Sequence, residues 1–159
     1  MALSPRLIIP VAAVAVAVVA AAGYAYLTIA EQGAGVSWAT GPEVVALGEQ
    51  VYAAQCASCH GADLEGQPNW QQRKADGRLP APPHDPTGHT WHHPDQALFA
   101  LTKFGPAAMV GDDYQSDMPG YEGVLSDDEI AAVLEYIKST WPAEIRQEQA
   151  RRTRSYLEQ

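Results

Sequence analysis

Cys56-Ala57-Ser58-Cys59-His60 puts two thiols and an imidazole within five residues. Cys-x-x-Cys-His is the spacing at which two thiolates can add to the vinyl groups of a porphyrin while the neighbouring imidazole takes an axial position on its iron. Two intervening residues bring both sulfurs to one side of a tight turn, and the next side chain falls under the ring. The chemistry to expect is therefore covalent attachment of haem c, with Cys56 and Cys59 as the bonded residues and His60 as an iron ligand. A redox dithiol would instead open a helix in a βαβ pattern, which this chain lacks. A structural zinc site needs a second ligand pair, and the chain has only two cysteines, although histidines between 84 and 93 offer further nitrogen donors.

A second axial donor decides between electron carriage and ligand chemistry. A thioether is soft and neutral, favours Fe(II) and fills the sixth position. Of the three methionines, Met1 is at the far end of the chain. Met109, in Pro106-Ala107-Ala108-Met109-Val110, reads as apolar filler. Met118, between Asp117 and Pro119 in a stretch that cannot be helical, is the candidate metal ligand. His84, His89, His92 and His93 surround Trp91 and could hold copper or zinc, but no carboxylate or thiolate joins them at a ligand spacing, so packing around a porphyrin rim is the preferred reading. Trp91, or one of these imidazoles, could donate a hydrogen bond to a haem propionate. Arg73, Lys74 and Arg78 could pair with propionates or form a solvated basic loop.

The elements that must position these groups read as helices, with no alternating strand pattern. One opens at Thr40-Gly41-Pro42-Glu43, with a capping-box pattern ending on Glu43, and runs through Val44, Leu47, Gly48, Val51 and Tyr52 to the cysteines. A second follows His93-Pro94-Asp95, carries Leu98, Leu101 and Phe104, and stops at Gly105-Pro106. A third starts with the box Ser126-Asp127-Asp128-Glu129 and shows Ile130, Val133, Leu134 and Ile137 at helical spacing before Trp141-Pro142. The irregular stretch 61–94 is long enough to require something to wrap around.

Taken together, these features resemble a class I cytochrome c from about Glu43 to Pro142: a helix with Gly48 and Tyr52 before the Cys-x-x-Cys-His motif, a proline-rich loop, Asp117-Met118-Pro119-Gly120-Tyr121, and a last helix with Val133 and Tyr136. The resemblance implies an all-α fold of three or more helices around one covalently bound haem. It also implies a close crossing of first and last helices at Gly48, and a distal methionine in the loop before the last helix, which selects Met118. The chain departs from short members of the family at 69–93 and after Pro142.

The remainder sets location and partners. From Leu7 to Ala30 the only ionisable side chains are two tyrosines, and as a helix this stretch would span ~36 Å, enough for a single membrane crossing. Arg6 precedes it and Glu31 comes after it, so the N-terminus is expected inside and the rest outside. Tyr24 and Tyr26, and the apolar run beyond Ala20-Ala21-Ala22, favour an uncleaved anchor over a cleaved signal. The expected organisation is a transmembrane helix at 1–30, a linker at 31–41, a haem domain at 42–142 and a polar, exposed helical extension at 143–159. A net charge of −9 argues against nucleic acid. Residues 43–142 carry 15 acidic and five basic side chains, and none of the bases lies between Lys103 and Lys138. Asp112, Asp113, Asp117 and Glu122 are expected to face a neutral or basic partner, while Asp127, Asp128 and Glu129 suit a helix start.

The expected function is a single-electron carrier, not an enzyme, at the periplasmic face of a bacterial inner membrane. Its partners would be a membrane oxidase, a quinol-cytochrome c oxidoreductase or a dehydrogenase. Membership of a fixed oxidoreductase complex, or a haem or metal sensor, are the alternatives.

Overall fold

The computed structural model describes residues 38–111 and 113–158. Helix α1 is Pro42–Val51, with proline in its first turn, where the missing N–H costs nothing. Gly41 is its N-cap and no side chain caps it. The expected box from Thr40 to Glu43 does not form, because a cap at Gly41 leaves Glu43 at the second helical position, not the third. A π turn, Tyr52–Cys56, comes directly after α1, and then a short α2, Ala57–His60. The wider turn keeps the start of the motif against the core, since Cys56 and Ala57 pack on the cluster that holds Val51 and Tyr52, and His60 is buried.

Helix α3, Asp95–Phe104, ends at Gly105, whose φ of 82° suits glycine. A five-residue α4, Pro106–Val110, has no counterpart in the hydrophobic pattern. Helix α5, Asp127–Ser139, carries both halves of the Ser126/Glu129 capping box, as its sequence predicts. Helix α6 is Ala143–Leu157. The stretch between α2 and α3 holds one 3-10 turn, Thr90–His92. Among the described residues there is no β-strand, only an isolated bridge between Glu122 and Leu125. None of the described helices is long and apolar enough to cross a membrane. The membrane helix expected at 1–30, and the linker as far as residue 37, lie outside the described residues.

The core is built on α1 against α5. A Cβ added at Gly48 would fall 2.0 Å from the Ala132 carbonyl oxygen and 2.8 Å from Tyr136 Cβ. Tyr52 and Tyr136 meet beside this crossing with ring centroids 5.5 Å apart. Val51, Tyr52, Leu64, Val133, Ile137 and Trp141 form the larger buried cluster, and Leu98 joins Ile130 and Leu134 in a second. Helix α3 thus packs on the other side of α5.

Helix α6 corrects the expectation of a wholly solvated tail. Ile145 packs on the larger cluster. Gln149 is buried, and its Nε2 donates to the His93 carbonyl (3.2 Å) and to Asp95 Oδ1 (2.8 Å). The Asp95 backbone N–H donates to Thr153 Oγ1 (3.0 Å), so α3 takes its N-terminal cap from another helix. Lys138 completes the junction, with Nζ 3.2 Å from both Asp95 carboxylate oxygens. Polar residues make this interface, so no apolar periodicity announces it. The outer face of α6 is solvated as expected, with Glu148 paired to Arg151 and Arg152.

Gly48→Ala should destabilise the protein by about 1–3 kcal/mol, a fall in Tm of roughly 5–20 °C, because the obstructing atom is backbone. A calorimetric Tm within ~2 °C of the unaltered protein would show that the helices can separate there without cost.

Candidate functional site

The π turn and α2 carry the three residues of the motif. Cys56 is half-buried, Cys59 exposed, and both thiols are free. Burial, with a smaller contribution from Cys59, pushes the Cys56 thiol up to about 11. A redox dithiol activates its thiol in the opposite direction. His60 is buried, and its Nδ1 lies 2.8 Å from the Pro82 carbonyl oxygen. A carbonyl only accepts, so Nδ1 carries the proton and Nε2 keeps a lone pair for a metal. Burial holds the imidazole below its ordinary pKa, with the Pro82 bond partly opposing, so the ring is neutral. The backbone is pinned as well. The His60 carbonyl accepts from Gly66 N–H (2.7 Å), and the Tyr52 hydroxyl reaches the carbonyls of His60 (3.4 Å) and Gly61 (3.1 Å). Burial raises the Tyr52 phenol well above its usual range, which keeps it a donor.

The loop behind His60 shows why four histidines lie together in sequence without forming a metal site. His84 stacks on His60, centroids 3.9 Å apart and planes at 17°. His89 stacks on Trp70 at 5.3 Å, and His92 lies against Trp91 at 3.7 Å. His93 lies edge-on to His89 at 5.5 Å, and among the described residues no three His, Cys, Asp or Glu side chains converge to hold a metal ion. His84 is held at both sides: its backbone N–H donates to the Leu64 carbonyl (2.8 Å), and its carbonyl accepts from Trp141 Nε1 (2.7 Å). Trp141, which in sequence only marks the end of a helix, thus ties α5 to the wall behind His60. Indole donors give no periodic signal, so this role is not legible in the sequence.

Met118 is half-buried, in a loop braced against the end of α3. A Cβ at Gly120 would sit 2.7 Å from the Phe104 carbonyl oxygen. Tyr121 N–H donates to the Thr102 carbonyl (3.1 Å) and Glu122 N–H to that of Lys103 (2.8 Å). The Tyr121 hydroxyl then donates to the Gln55 carbonyl at 2.8 Å, joining the Met118 loop to the cysteine turn. In sequence Tyr121 is only the last residue of a motif, and nothing there signals this bridge. Met109 is 48% exposed on α4, which buries none of its residues. Its reading as core filler is therefore corrected.

The charges also differ from expectation. Asp117 faces no partner unpaired: Lys74 Nζ lies 2.5 Å and Arg78 Nη1 2.8 Å from its carboxylate. The hydrogen bond from Lys74 holds the Asp117 carboxyl below its usual range, and the same bond raises Lys74. Asp127 pairs with Lys103 at 2.7 Å, and Glu129 serves the cap of α5. Asp113, Glu122 and Asp128 have no ion-pair partner among the described residues, and Asp112 lies outside them.

Three buried side-chain nitrogens, Arg78 Nε, His84 Nδ1 and Trp91 Nε1, have no hydrogen-bond partner among the described residues. Arg78 Nε and Trp91 Nε1 can only donate, and Trp91 packs on the cluster that also receives Cys56. A donor on the cluster that receives Cys56, in a fold with a neutral, oriented imidazole, suits a porphyrin bearing carboxylates.

Residues 45–141 match the family model described as cytochrome c. The chain belongs to the cytochrome c family. No curated protein and no solved structure matches it. Membership implies a class I, all-α, electron-transfer domain with covalently bound haem c, and Cys56 and Cys59 have the attachment spacing.

Proposed function

We propose that this cytochrome c carries single electrons for a bacterial respiratory or photosynthetic chain, with His60 and Met118 as axial haem ligands. Its domain would work at the periplasmic face of the inner membrane, tethered by the apolar segment at 1–30. The observation that carries the ligand assignment is the Tyr121 hydroxyl bound to the Gln55 carbonyl, which ties the loop of Met118 to the turn of Cys56, Cys59 and His60.

Bound haem c supplies a one-electron Fe(III)/Fe(II) couple. Cys56 and Cys59 hold it, Trp91 and Arg78 offer donors to its carboxylates, and Pro82 orients the neutral imidazole of His60. The Met118 thioether favours the reduced state. Nothing in this set needs to gain or lose a proton, and hydrogen bonds fix the backbone at His60 and after Met118, which keeps rearrangement on electron transfer small. A membrane oxidase, a quinol-cytochrome c oxidoreductase or a dehydrogenase would exchange electrons with it. A second reading, a haem subunit of a fixed oxidoreductase complex, is favoured by exposed Phe104, Met109, Val110 and Val124 on and after α3 and α4.

If Met118 binds iron, the oxidised protein should show the weak far-red sulfur-to-iron absorption band. Met118→Ala should abolish it, lower the potential and admit carbon monoxide, whereas Met109→Ala should do none of these. The reverse pattern would reassign the ligand. Asp113, Glu122 and Asp128 remain available to attract a neutral or basic partner surface. Electron transfer to the native partner should then slow as salt rises, since the Debye length falls from ~30 Å at 0.01 M to ~10 Å at 0.1 M. A rate that is flat or rises with salt would point instead to an apolar contact or a permanently held partner.

A further inference from the structure

The loop from Asn69 to Pro80, where the chain departs from short members of its family, reaches the Met118 loop through charge. We propose that it is an electrostatic strap that governs how readily Met118 leaves the iron; the inference rests on Met118 being the distal ligand.

The strap is built before it makes its contact. Gln67 and Ala81 close its base, by Gln67 N–H to the Ala81 carbonyl (2.8 Å) and Ala81 N–H to Gln67 Oε1 (3.2 Å). Trp70 stacks on His89 near the start of the 3-10 turn. At the tip, Lys74 N–H donates to the Arg78 carbonyl (2.8 Å), Gly77 N–H to that of Lys74 (2.9 Å), and Arg73 Nη1 to that of Gly77 (2.6 Å). Three cations are thereby presented from one tight turn. Arg73 lies over the Tyr114 ring, 5.9 Å from its centroid, and Lys74 and Arg78 share the Asp117 carboxylate.

What makes this a control point is the asymmetry of the loop it grips. After Met118 the chain is fixed by backbone hydrogen bonds from Tyr121 and Glu122 to the end of α3. Before Met118, the hydrogen bonds and ring contacts that tie 113–117 to other parts of the fold among the described residues are the Arg73–Tyr114 contact and the Asp117 clamp, the bonds of Tyr114 to Gly111 and of Met118 to Ser116 being local. Asp117 is the residue next to Met118, so lifting the thioether from the iron strains this clamp first. An exposed ion pair is weak alone and sensitive to salt, but two cations on one carboxylate act together. Lys74 and Asp117 act here as positioning residues.

The test is the rate at which imidazole displaces Met118 in the oxidised, full-length holoprotein, monitored by loss of the far-red band. In the unaltered protein that rate should rise about three- to tenfold between 0.01 M and 1 M sodium chloride, as exposed pairs are screened. Asp117→Asn should bind imidazole at the fast rate at low salt and lose the salt dependence, and Lys74→Ala, which leaves Arg78 on the carboxylate, should fall between it and the unaltered protein, with far-ultraviolet circular dichroism unchanged. Asp117→Glu should restore both. A band present in all variants, with Asp117→Asn and the unaltered protein binding imidazole equally fast at 0.01 M, would overturn the strap alone. A band missing from the unaltered protein would overturn the ligand assignment and the strap with it.

Discussion

Helix α1 can approach α5 as it does only because residue 48 has no side chain. A Cβ there would meet the Ala132 carbonyl oxygen at 2.0 Å, so the crossing is set by backbone against backbone. That crossing places Tyr52, at the start of the π turn, against Tyr136 and the larger buried cluster. Tyr52 in turn holds the carbonyls of His60 and Gly61. The Cys-x-x-Cys-His residues therefore hang, through one tyrosine and a π turn, from a helix contact in the core.

Two kinds of interaction hold the two sides of the site. On the proximal side neutral hydrogen bonds in buried surroundings dominate: His60 to Pro82, Trp141 to His84, Tyr52 to the turn. Such bonds are costly to break when no water can replace the partner. On the distal side the Met118 loop is held on its C-terminal flank by backbone bonds and on its N-terminal flank by exposed charge. With His60 and Met118 as the proposed ligands, this arrangement would keep the proximal histidine immobile in both oxidation states and leave any movement to the thioether.

The motif and three of the helices are legible in the sequence because each writes a local signal, a fixed spacing, a 3.6-residue period or a capping box, whereas the Gly48 crossing is implied only by the resemblance to the family. Met118 stands out through the adjoining proline. The ties made by polar side chains over long sequence distances give no such signal. Asp117 lies 43 residues from Lys74 and 39 from Arg78, and its charge reads as free because no base is near it in sequence. Gln149 and Thr153 give α6 the composition of a solvated helix, yet they supply its buried contacts to Asp95. The box at Thr40 fails by a single residue, since a cap pattern depends on where the first helical turn begins. The histidine cluster offers a metal site on paper because proximity in sequence does not reveal that His84, His89 and His92 lie against His60, Trp70 and Trp91.

On this view the iron keeps a nitrogen and a thioether ligand through a reversible one-electron cycle, which an optical redox titration of the purified holoprotein can decide. A single reversible wave is expected, about 59 mV per tenfold change in the oxidised-to-reduced ratio, with low-spin spectra at both ends and the far-red band present only in the oxidised protein. A high-spin reduced spectrum, or oxidative and reductive titrations that do not superimpose, would refute it, because either means that a ligand leaves during the cycle.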